Sequence, residues 1–240
     1  MFTSIRIIGR GRVGSAIAAR LAERGHQLVD QGADLVLLCV PDAAIGEVAQ
    51  SITSGPWVAH TSGATPLAAL APHTQTFGVH PLQTIVPGRG PEQLDGASAA
   101  VTGEDEHAVR RAIWLARELN LIPFHIREEF RALYHAGATT ASNYLVTLYR
   151  AAARMFELSG APPEALLPLM RRVIDNGFEL TGPIARGDWQ TVDAHIAALR
   201  QHAPDLEPLY RALARALAEG QGPLDSGAVR SEPPIKRVER

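Results

Sequence analysis

The sequence of 240 residues has a single cysteine, few aromatic residues and no surplus of either charge. The lone cysteine excludes a disulfide framework and a zinc site built from several cysteines. The 23 basic and 25 acidic side chains leave a formal charge of −2, which argues against a dedicated nucleic-acid binder. The longest apolar runs fall short of the ~18 residues of a membrane span, and the N-terminus shows no signal peptide. We therefore expect a soluble cytoplasmic protein with no nucleic-acid and no membrane partner.

Short apolar runs alternate with amphipathic stretches over residues 1–126, a pattern typical of a mostly parallel sheet covered by helices. Residues 127–219 show only helical patterns, beginning with one long helix predicted over Glu128–Ser159. Residues 220–240 are rich in glycine, proline, serine and charged side chains, and they predict a disordered tail. Strands are predicted at Ile5–Ile8, His26–Val29, Asp34–Val40, Trp57–His60, Thr76–His80, Ala97–Val101 and Leu121–Ile126.

A glycine-rich loop follows the first predicted strand and opens the first predicted helix. It reads Gly9-Arg10-Gly11-Arg12-Val13-Gly14, which is the G-x-G-x-x-G spacing of dinucleotide-binding loops. In such loops the first glycine permits a tight turn, the second lets a pyrophosphate approach, and the third lets the helix pack on the strand. The loop predicts that its six residues bind NAD or NADP, and the alternative is a glycine turn kept only for packing.

The segment after the second predicted strand is too short for a usual crossover. Only Asp30-Gln31-Gly32-Ala33 separates Val29 from Asp34, whereas adjacent parallel strands need a connection of about a dozen residues. Either the two strands pair as an antiparallel hairpin, or the chain makes an unusual excursion. Asp30 lies about where an acid would hold a ribose 2′-hydroxyl, while the loop arginines would favour a 2′-phosphate. The preference between NAD and NADP therefore stays open.

Polar residues follow three predicted strands of the sheet. Pro41 and Asp42 follow the third strand, His60-Thr61-Ser62-Gly63 follows the fourth, and His80-Pro81-Leu82-Gln83-Thr84 follows the fifth. Ligands of open α/β sheets bind outside the carboxyl ends of the strands, so Pro41, Thr61 and Ser62 are expected to contact the cofactor. His80 is a candidate proton donor, and the alternative is that it satisfies loop carbonyls. No histidine spacing of a metal site occurs, so no metal is expected.

The long predicted helix carries a polar stripe of His135, Thr139 and Asn143 at intervals of four residues. This spacing keeps the three side chains on one side of a helix, with a drift of about 40° per step. Flanking alanine and glycine residues allow a ligand to come close, which is typical of a cleft wall, although helix–helix packing is the alternative. Arg186, in a loop between later helices, is a candidate for gripping an anion, unless it pairs with a neighbouring acid.

Five motifs together resemble one known family. They comprise the glycine-rich loop, the two His-containing segments after strands four and five, Leu133-Tyr134-His135 with Ala141–Val146, and the segment Thr181–Asp188. In this order they closely resemble a bacterial family of unknown function (domain of unknown function 2520). That family is similar to pyrroline-5-carboxylate reductase, ketopantoate reductase and the 6-phosphogluconate dehydrogenase group. The resemblance implies a Rossmann-like NAD(P)-binding domain over 1–126 and a 6-phosphogluconate-dehydrogenase-C-terminal-like helical domain over 127–219, which commonly forms homodimers.

Two features depart from the wider group. Its hydroxyacid dehydrogenases present a catalytic lysine four residues before an asparagine; if Asn143 matches that asparagine, the lysine position holds Thr139. His135, one helical turn earlier, could substitute for the lysine. The other departure is the short segment after the second strand, which reduces the wall that usually holds adenosine.

The sequence hypothesis is an NAD(P)-dependent oxidoreductase acting on a small carbonyl or imine acid in the cleft between the two domains. His80 or His135 would donate a proton, Asn143 would orient the carbonyl, and Thr139 and Arg186 would bind the substrate, Arg186 through its carboxylate. The alternative is a non-catalytic nucleotide-sensing or scaffold dimer with a degenerate cofactor site, which both departures favour. A prephenate-dehydrogenase-like enzyme, suggested only by His80-Pro81, is a third reading.

Overall fold

A computed structural model describes residues 2–219, so the predicted tail at 220–240 lies outside the described residues. Contacts between residues divide the chain into two compact units, Met1–Tyr144 and Leu145–Arg240. The first unit contains the sheet and also the helix that follows its last strand, including the predicted polar stripe. No helix within residues 2–219 is long and apolar enough to cross a membrane.

Over the described residues, seven strands form one sheet in the order β2-β1-β3-β4-β5-β6-β7. Every neighbouring pair is parallel except β5 and β6, which are antiparallel. The predicted mostly parallel sheet followed by helices is therefore confirmed. The strands are β1 (Ser4–Ile8), β2 (Gln27–Leu28), β3 (Leu35–Leu38), β4 (Trp57–His60), β5 (Thr76–Pro81), β6 (Ser98–Gly103) and β7 (Ile122–His125).

Helices cover both faces of this sheet. Leu35 and Leu37 of β3 pack into a cluster with α1 (Arg12–Glu23) and α3 (Glu106–Glu118). Val36 and Leu38 point to the opposite face and pack against α2 (Ile45–Gln50) and the 3-10 turn Leu67–Leu70. Successive side chains of a strand point to opposite faces, so β3 has to be apolar throughout. The interpretation of this apolar run as a strand buried on both faces is confirmed.

The connection from β2 to β3 is short because it does not have to return along the sheet. The hairpin alternative is wrong: β2 and β3 lie on opposite sides of β1, and both are parallel to it. Leu28 at the end of β2 and Leu35 at the start of β3 both pair with Ile5, so the chain only passes the N-terminal end of β1. The Asp34 carboxylate fixes this crossing by accepting hydrogen bonds from Thr3 N at 2.9 Å and Thr3 Oγ1 at 2.6 Å.

The chain is helical from Glu128 to Leu158, as predicted for Glu128–Ser159, but this helix is not a regular α-helix throughout. The segment consists of a 3-10 turn (Glu128–Phe130), α4 (Arg131–Thr139), a π-helical turn (Thr140–Tyr144) and α5 (Leu145–Leu158). Two hydroxyl groups of the π-helical turn donate to carbonyl oxygens of α4. The Thr140 hydroxyl donates to Ala136 at 2.8 Å, and the Ser142 hydroxyl donates to Ala138 at 2.7 Å. Hydroxyl groups that bond back to the preceding turn locally disturb the regular helical ladder, a preference that apolar periodicity does not reveal.

The second unit is helical throughout its described part. After α5 it contains α6 (Leu166–Asp175), α7 (Trp189–His202) and α8 (Glu207–Glu219). Asp188 caps α7 by accepting from Thr191 N at 3.1 Å, which confirms the predicted N-cap. The buried apolar cluster of this unit is small and consists of Ile184, Val192 and Ile196. Many large apolar side chains of this unit stay exposed, among them Leu145, Leu169, Ile174, Phe178 and Trp189.

Candidate functional site

A cavity of about 650 Å³ in the first unit brings together most of the residues predicted to do chemistry. His80 lies at the carboxyl end of β5, and it lines the cavity with His135, Thr139 and Asn143. Neutral hydrogen-bonding groups make up the rest of the polar wall, and among residues 2–219 no acidic or basic side chain other than histidine lines it. Further polar lining comes from Gln83, Thr84, Tyr134 and Ser142.

The π-helical turn helps to keep the polar stripe on one wall. Residues four apart in an α-helix drift forward by about 40°, because four residues exceed one full turn of 3.6. A π-helical turn bonds residue i to i+5 and so holds more residues per turn. The step from Thr139 to Asn143 therefore rotates less than the step from His135 to Thr139, and this offsets the drift. Such turns occur frequently at functional sites.

The two imidazoles of the cavity lie side by side. The ring centroids of His80 and His135 are 5.8 Å apart, and Nδ1 of His80 is 2.7 Å from the Tyr134 hydroxyl. Burial, followed by the electrostatic influence of the His135 imidazole and of the Arg131 guanidinium group, lowers the pKa of His80 to about 4. Burial also raises the pKa of Tyr134 to about 12. At neutral pH both groups are therefore uncharged, and they share one hydrogen bond.

Tyr134 belongs to one of the five sequence motifs, but no chemical role was predicted for it. The available signal was its position directly before His135, the first residue of the polar stripe. Tyrosine hydroxyls usually find a polar partner when they are buried, so its helical position beside the stripe was a usable clue.

The loop after β4 packs against the two imidazoles of the cavity. A Cβ atom placed on Gly63 would lie 2.6 Å from His135 Cδ2 and 2.8 Å from His80 Cε1. The glycine therefore packs its backbone directly against both rings. Ser62 is buried, and its hydroxyl accepts from Ala64 N at 3.2 Å and Thr65 N at 2.9 Å. The Ser62 side chain is thus engaged in hydrogen bonds within the loop.

The glycine-rich loop has the geometry that its spacing predicts. Gly9 has a φ of +99°, and a Cβ there would lie 2.4 Å from the Cys39 carbonyl oxygen. A Cβ on Gly14 would lie 1.9 Å from the Gly9 oxygen, so the start of α1 is in close contact with the loop. At Gly11 no atom lies within 4 Å of such a Cβ, so the backbone is open to an approaching group. The three glycines thus have the three roles expected of a phosphate-binding loop.

Three arginines line a second cavity, of about 360 Å³, at the N-terminal end of α1. Arg10 and Arg12 come from the glycine-rich loop, and Arg89 comes from the segment that follows β5. Within the part of the chain that the structure describes, none of the three forms an ion pair, and no acidic side chain lines this cavity. Unneutralised guanidinium groups around one space suit an anion such as phosphate.

The remaining predicted site residues lie elsewhere. Pro41 follows β3, and Thr61 follows β4, where its N–H donates to the Leu38 carbonyl at 3.1 Å. Both are therefore at the carboxyl edge of the sheet, as expected. Asp30 is exposed in the β2–β3 connection. Arg186 belongs to the second unit and is not among the residues that line the histidine cavity.

A family model described as a domain of unknown function (DUF2520) matches residues 97–217, and a Rossmann-like domain model matches residues 28–87. The first match covers half of the sequence. The chain belongs to the DUF2520 family. A comparison with curated proteins finds no match.

Solved structures share the fold of this DUF2520 protein. A crystal structure of a Bacteroides fragilis protein, provisionally named an NADP oxidoreductase, has a TM-score of 0.75 at 21% identity and covers 90% of this chain and 98% of its own. A Thermotoga maritima protein has a TM-score of 0.72 at 26% identity with the same coverage. Pyrroline carboxylate reductase of Plasmodium falciparum, with NADP bound, has a TM-score of 0.57 at 12% identity and covers 90% and 96%.

Proposed function

We propose that this protein is an NAD(P)-dependent oxidoreductase that acts on a small carbonyl or imine compound at the histidine cavity. The observation that carries the proposal is the grouping of His80, Tyr134, His135 and Asn143 in one cavity beside the carboxyl end of β5. The open glycine-rich loop lies at the same edge of the sheet, after β1. Similarity in fold to proteins named as NAD(P) oxidoreductases supports the proposal.

The residues present fit the phosphates of a dinucleotide better than its adenosine. The open backbone at Gly11 and the unpaired Arg10, Arg12 and Arg89 provide a close approach and positive charge for phosphates. The adenosine side is reduced, because β2 has only two residues and no helix follows it before β3. We therefore expect binding that depends strongly on the phosphates and on salt concentration.

The bound dinucleotide would supply hydride transfer, and the chain would position the substrate and provide the proton. His80 is neutral at pH 7, so it suits a hydrogen-bond donor to a carbonyl oxygen better than an acid that ionises. With the Tyr134 hydroxyl donating to Nδ1 of His80, the proton of that imidazole stays on Nε2, which lies near Gly63. His135, whose ring lies 5.8 Å from that of His80, is the candidate to deliver a proton to the substrate.

Asn143 and Thr139 would add neutral hydrogen bonds that orient the substrate in the cavity. The role of Arg186 as a grip for a substrate carboxylate is a separate part of the proposal. It is tested by Arg186→Ala, which should raise KM for an acid substrate and leave KM for its uncharged amide unchanged.

A cytoplasmic homodimer formed through the helical unit is the last part of the proposal. The exposed apolar side chains of that unit support it.

A nucleotide-sensing or scaffold role is the second candidate function. Two observations favour it, namely the two-residue β2 and the presence of Thr139 where the wider group has a catalytic lysine. The two candidates differ in turnover of the cofactor. An oxidoreductase oxidises or reduces the dinucleotide, whereas a sensor only binds it.

A fluorescence titration with NADPH and NADH tests the cofactor claim, with Gly11→Ala as the diagnostic variant. The added methyl group meets no protein atom within 4 Å, so the fold should be unaffected while the approach of a phosphate is blocked. We expect at least a tenfold weaker affinity, equivalent to about 1.4 kcal/mol. Gly46→Ala in α2 is the control, since its methyl group would make an ordinary contact of 3.7 Å. Wild-type protein that binds neither dinucleotide would refute the proposal.

A further inference from the structure

An ion pair lies behind the histidine cavity and does not line it. Arg131, the first residue of α4, is only 3% exposed, and its Nε donates to both carboxylate oxygens of Glu128 at 3.2 and 3.1 Å. Its Nη2 donates to the Thr102 hydroxyl on β6. Burying a guanidinium group is costly unless its hydrogen bonds are satisfied, and the partners of Arg131 offset this cost.

The pair holds both ends of the segment that follows β4. Arg131 Nη1 donates to the Ser62 carbonyl oxygen at 3.0 Å, and Leu67 N donates to Glu128 Oε1 at 2.6 Å. The segment between these two residues includes Gly63, whose backbone packs against the rings of His80 and His135. One ion pair, with a buried arginine and a half-buried glutamate, therefore bonds to both ends of the loop that packs against the two imidazoles.

The absence of a side chain at a second glycine, Gly78, leaves room for the Arg131 guanidinium group. A Cβ on Gly78 of β5 would lie 2.8 Å from Arg131 Nη2, 2.8 Å from Thr102 Oγ1 and 3.6 Å from His60 Cε1. His60 is fully buried, and its Nδ1 accepts from Ser62 N at 3.2 Å. Its Nε2 has no hydrogen-bond partner among the residues that the structure describes. The sheet thus provides a space for the Arg131 side chain next to the buried imidazole of His60.

We propose that Arg131 and Glu128 are positioning residues of the site, which clamp the segment Ser62–Leu67 against the His80 and His135 imidazoles. The clamp extends the proposed function, since that function requires the two rings to be held in place. It uses the fork of the guanidinium group, because Ser62, Thr102 and Glu128 are reached in different directions from one planar head. A lysine at this position would keep the charge and lose the fork.

The buried cation also has an electrostatic effect on the site. Arg131 contributes, after burial, to the lowered pKa of His60, which is about 3, and to that of His80, which is about 4. Removal of the cation should therefore raise the pKa of His80 toward its ordinary value of 6.5. The titratable and charged groups that act on His80 are His60 from β4, Asp42 after β3, and Arg131, Tyr134 and His135 from α4.

The test compares Arg131→Lys and Arg131→Met in the full-length protein by NMR. Backbone amide signals of Ser62–Leu67 report the clamp, and histidine ring signals between pH 5 and 8 report the charge. Arg131→Lys should shift the amide signals and leave His80 neutral over this range. Arg131→Met should shift the amides and also let His80 begin to take up a proton at the acid end. Arg110→Lys is the control, because Arg110 pairs with Glu106 on an exposed helix face.

Amide signals of Ser62–Leu67 that move no more in Arg131→Lys than in Arg110→Lys would overturn the inference. This result is decisive even if Arg131→Met fails to fold, since the lysine variant retains the buried cation. The measurements need no cofactor. A wild-type protein that fails to bind NADPH, together with shifted signals in Arg131→Lys, would therefore refute the proposed function and leave the clamp in place.

Discussion

Replacing Gly63 by alanine is expected to damage the site without forcing the backbone into a strained conformation. Gly63 is not among the glycines with positive φ, so alanine is allowed there on conformational grounds. The new methyl group would lie 2.6 Å from His135 Cδ2 and 2.8 Å from His80 Cε1, and ordinary contacts begin at 3.4 Å. The His135 ring must therefore retreat by about 0.8 Å, the difference between 2.6 and 3.4 Å.

The cost of this displacement follows from how the rings are held. His80 cannot rotate freely, since its Nδ1 is bound to the Tyr134 hydroxyl at 2.7 Å. Forcing a methyl group into packed surroundings typically costs about 1–3 kcal/mol. For a chain of this size, a loss of about 2 kcal/mol lowers Tm by about 4–8 °C.

Gly137→Ala is the matched control, because Gly137 lies within α4 and a Cβ there meets nothing within 4 Å. Alanine in a helix is more favourable than glycine by about 1 kcal/mol, so this variant should gain stability. Urea and thermal unfolding of both variants measure the two changes. The reasoning is refuted if Gly63→Ala is as stable as the wild type, since the close contacts would then not exist.

Three further predictions concern other parts of the molecule. Arg89→Ala should weaken NADPH binding about tenfold or more, because a charge-assisted hydrogen bond to a phosphate is lost. Fluorescence titration measures this loss, with Arg110→Ala as the control. Equal affinities of the two variants would contradict a role of the arginine cavity in phosphate binding. The pKa of His80 is about 4 in the folded protein and ordinarily 6.5, so stability should fall as pH drops from 6.5 toward 4, because only the unfolded chain then takes up the proton. Urea unfolding at pH 5 and 7 should show less of this loss in His80→Asn, and an unchanged pH dependence would contradict it. Light scattering should give about 51 kDa, twice the chain mass of 25.7 kDa, and a mass near that of one chain would exclude the proposed homodimer.

The sheet and its edge residues could be predicted because their signals are local. The apolar run around Leu37 predicts a buried strand, and the G-x-G-x-x-G spacing predicts the loop between β1 and α1. Helical spacing also predicts that His135, Thr139 and Asn143 share one stripe, and the structure places all three on the cavity wall with His80. Their chemical roles stay predictions.

The parts that could not be predicted depend on contacts between distant residues. The β2–β3 crossing depends on the Asp34 carboxylate, which is bound to Thr3 across 31 positions of sequence. The clamp depends on Arg131, which lies 69 positions from its partner Ser62. In the sequence Arg131 is one more charged residue in a helix. Only the fold shows that its charge is buried.

In the proposed function, a nicotinamide dinucleotide binds with its phosphates at the glycine-rich loop and its nicotinamide ring at the histidine cavity. A crystal structure of the protein grown with NADPH would measure this directly, through the position of the nicotinamide ring. We expect phosphates at Gly11 and the nicotinamide ring at the carboxyl ends of β4 and β5, next to His80. A dinucleotide bound away from the loop, or a nicotinamide ring outside the cavity that His80 and His135 line, would refute the proposed function.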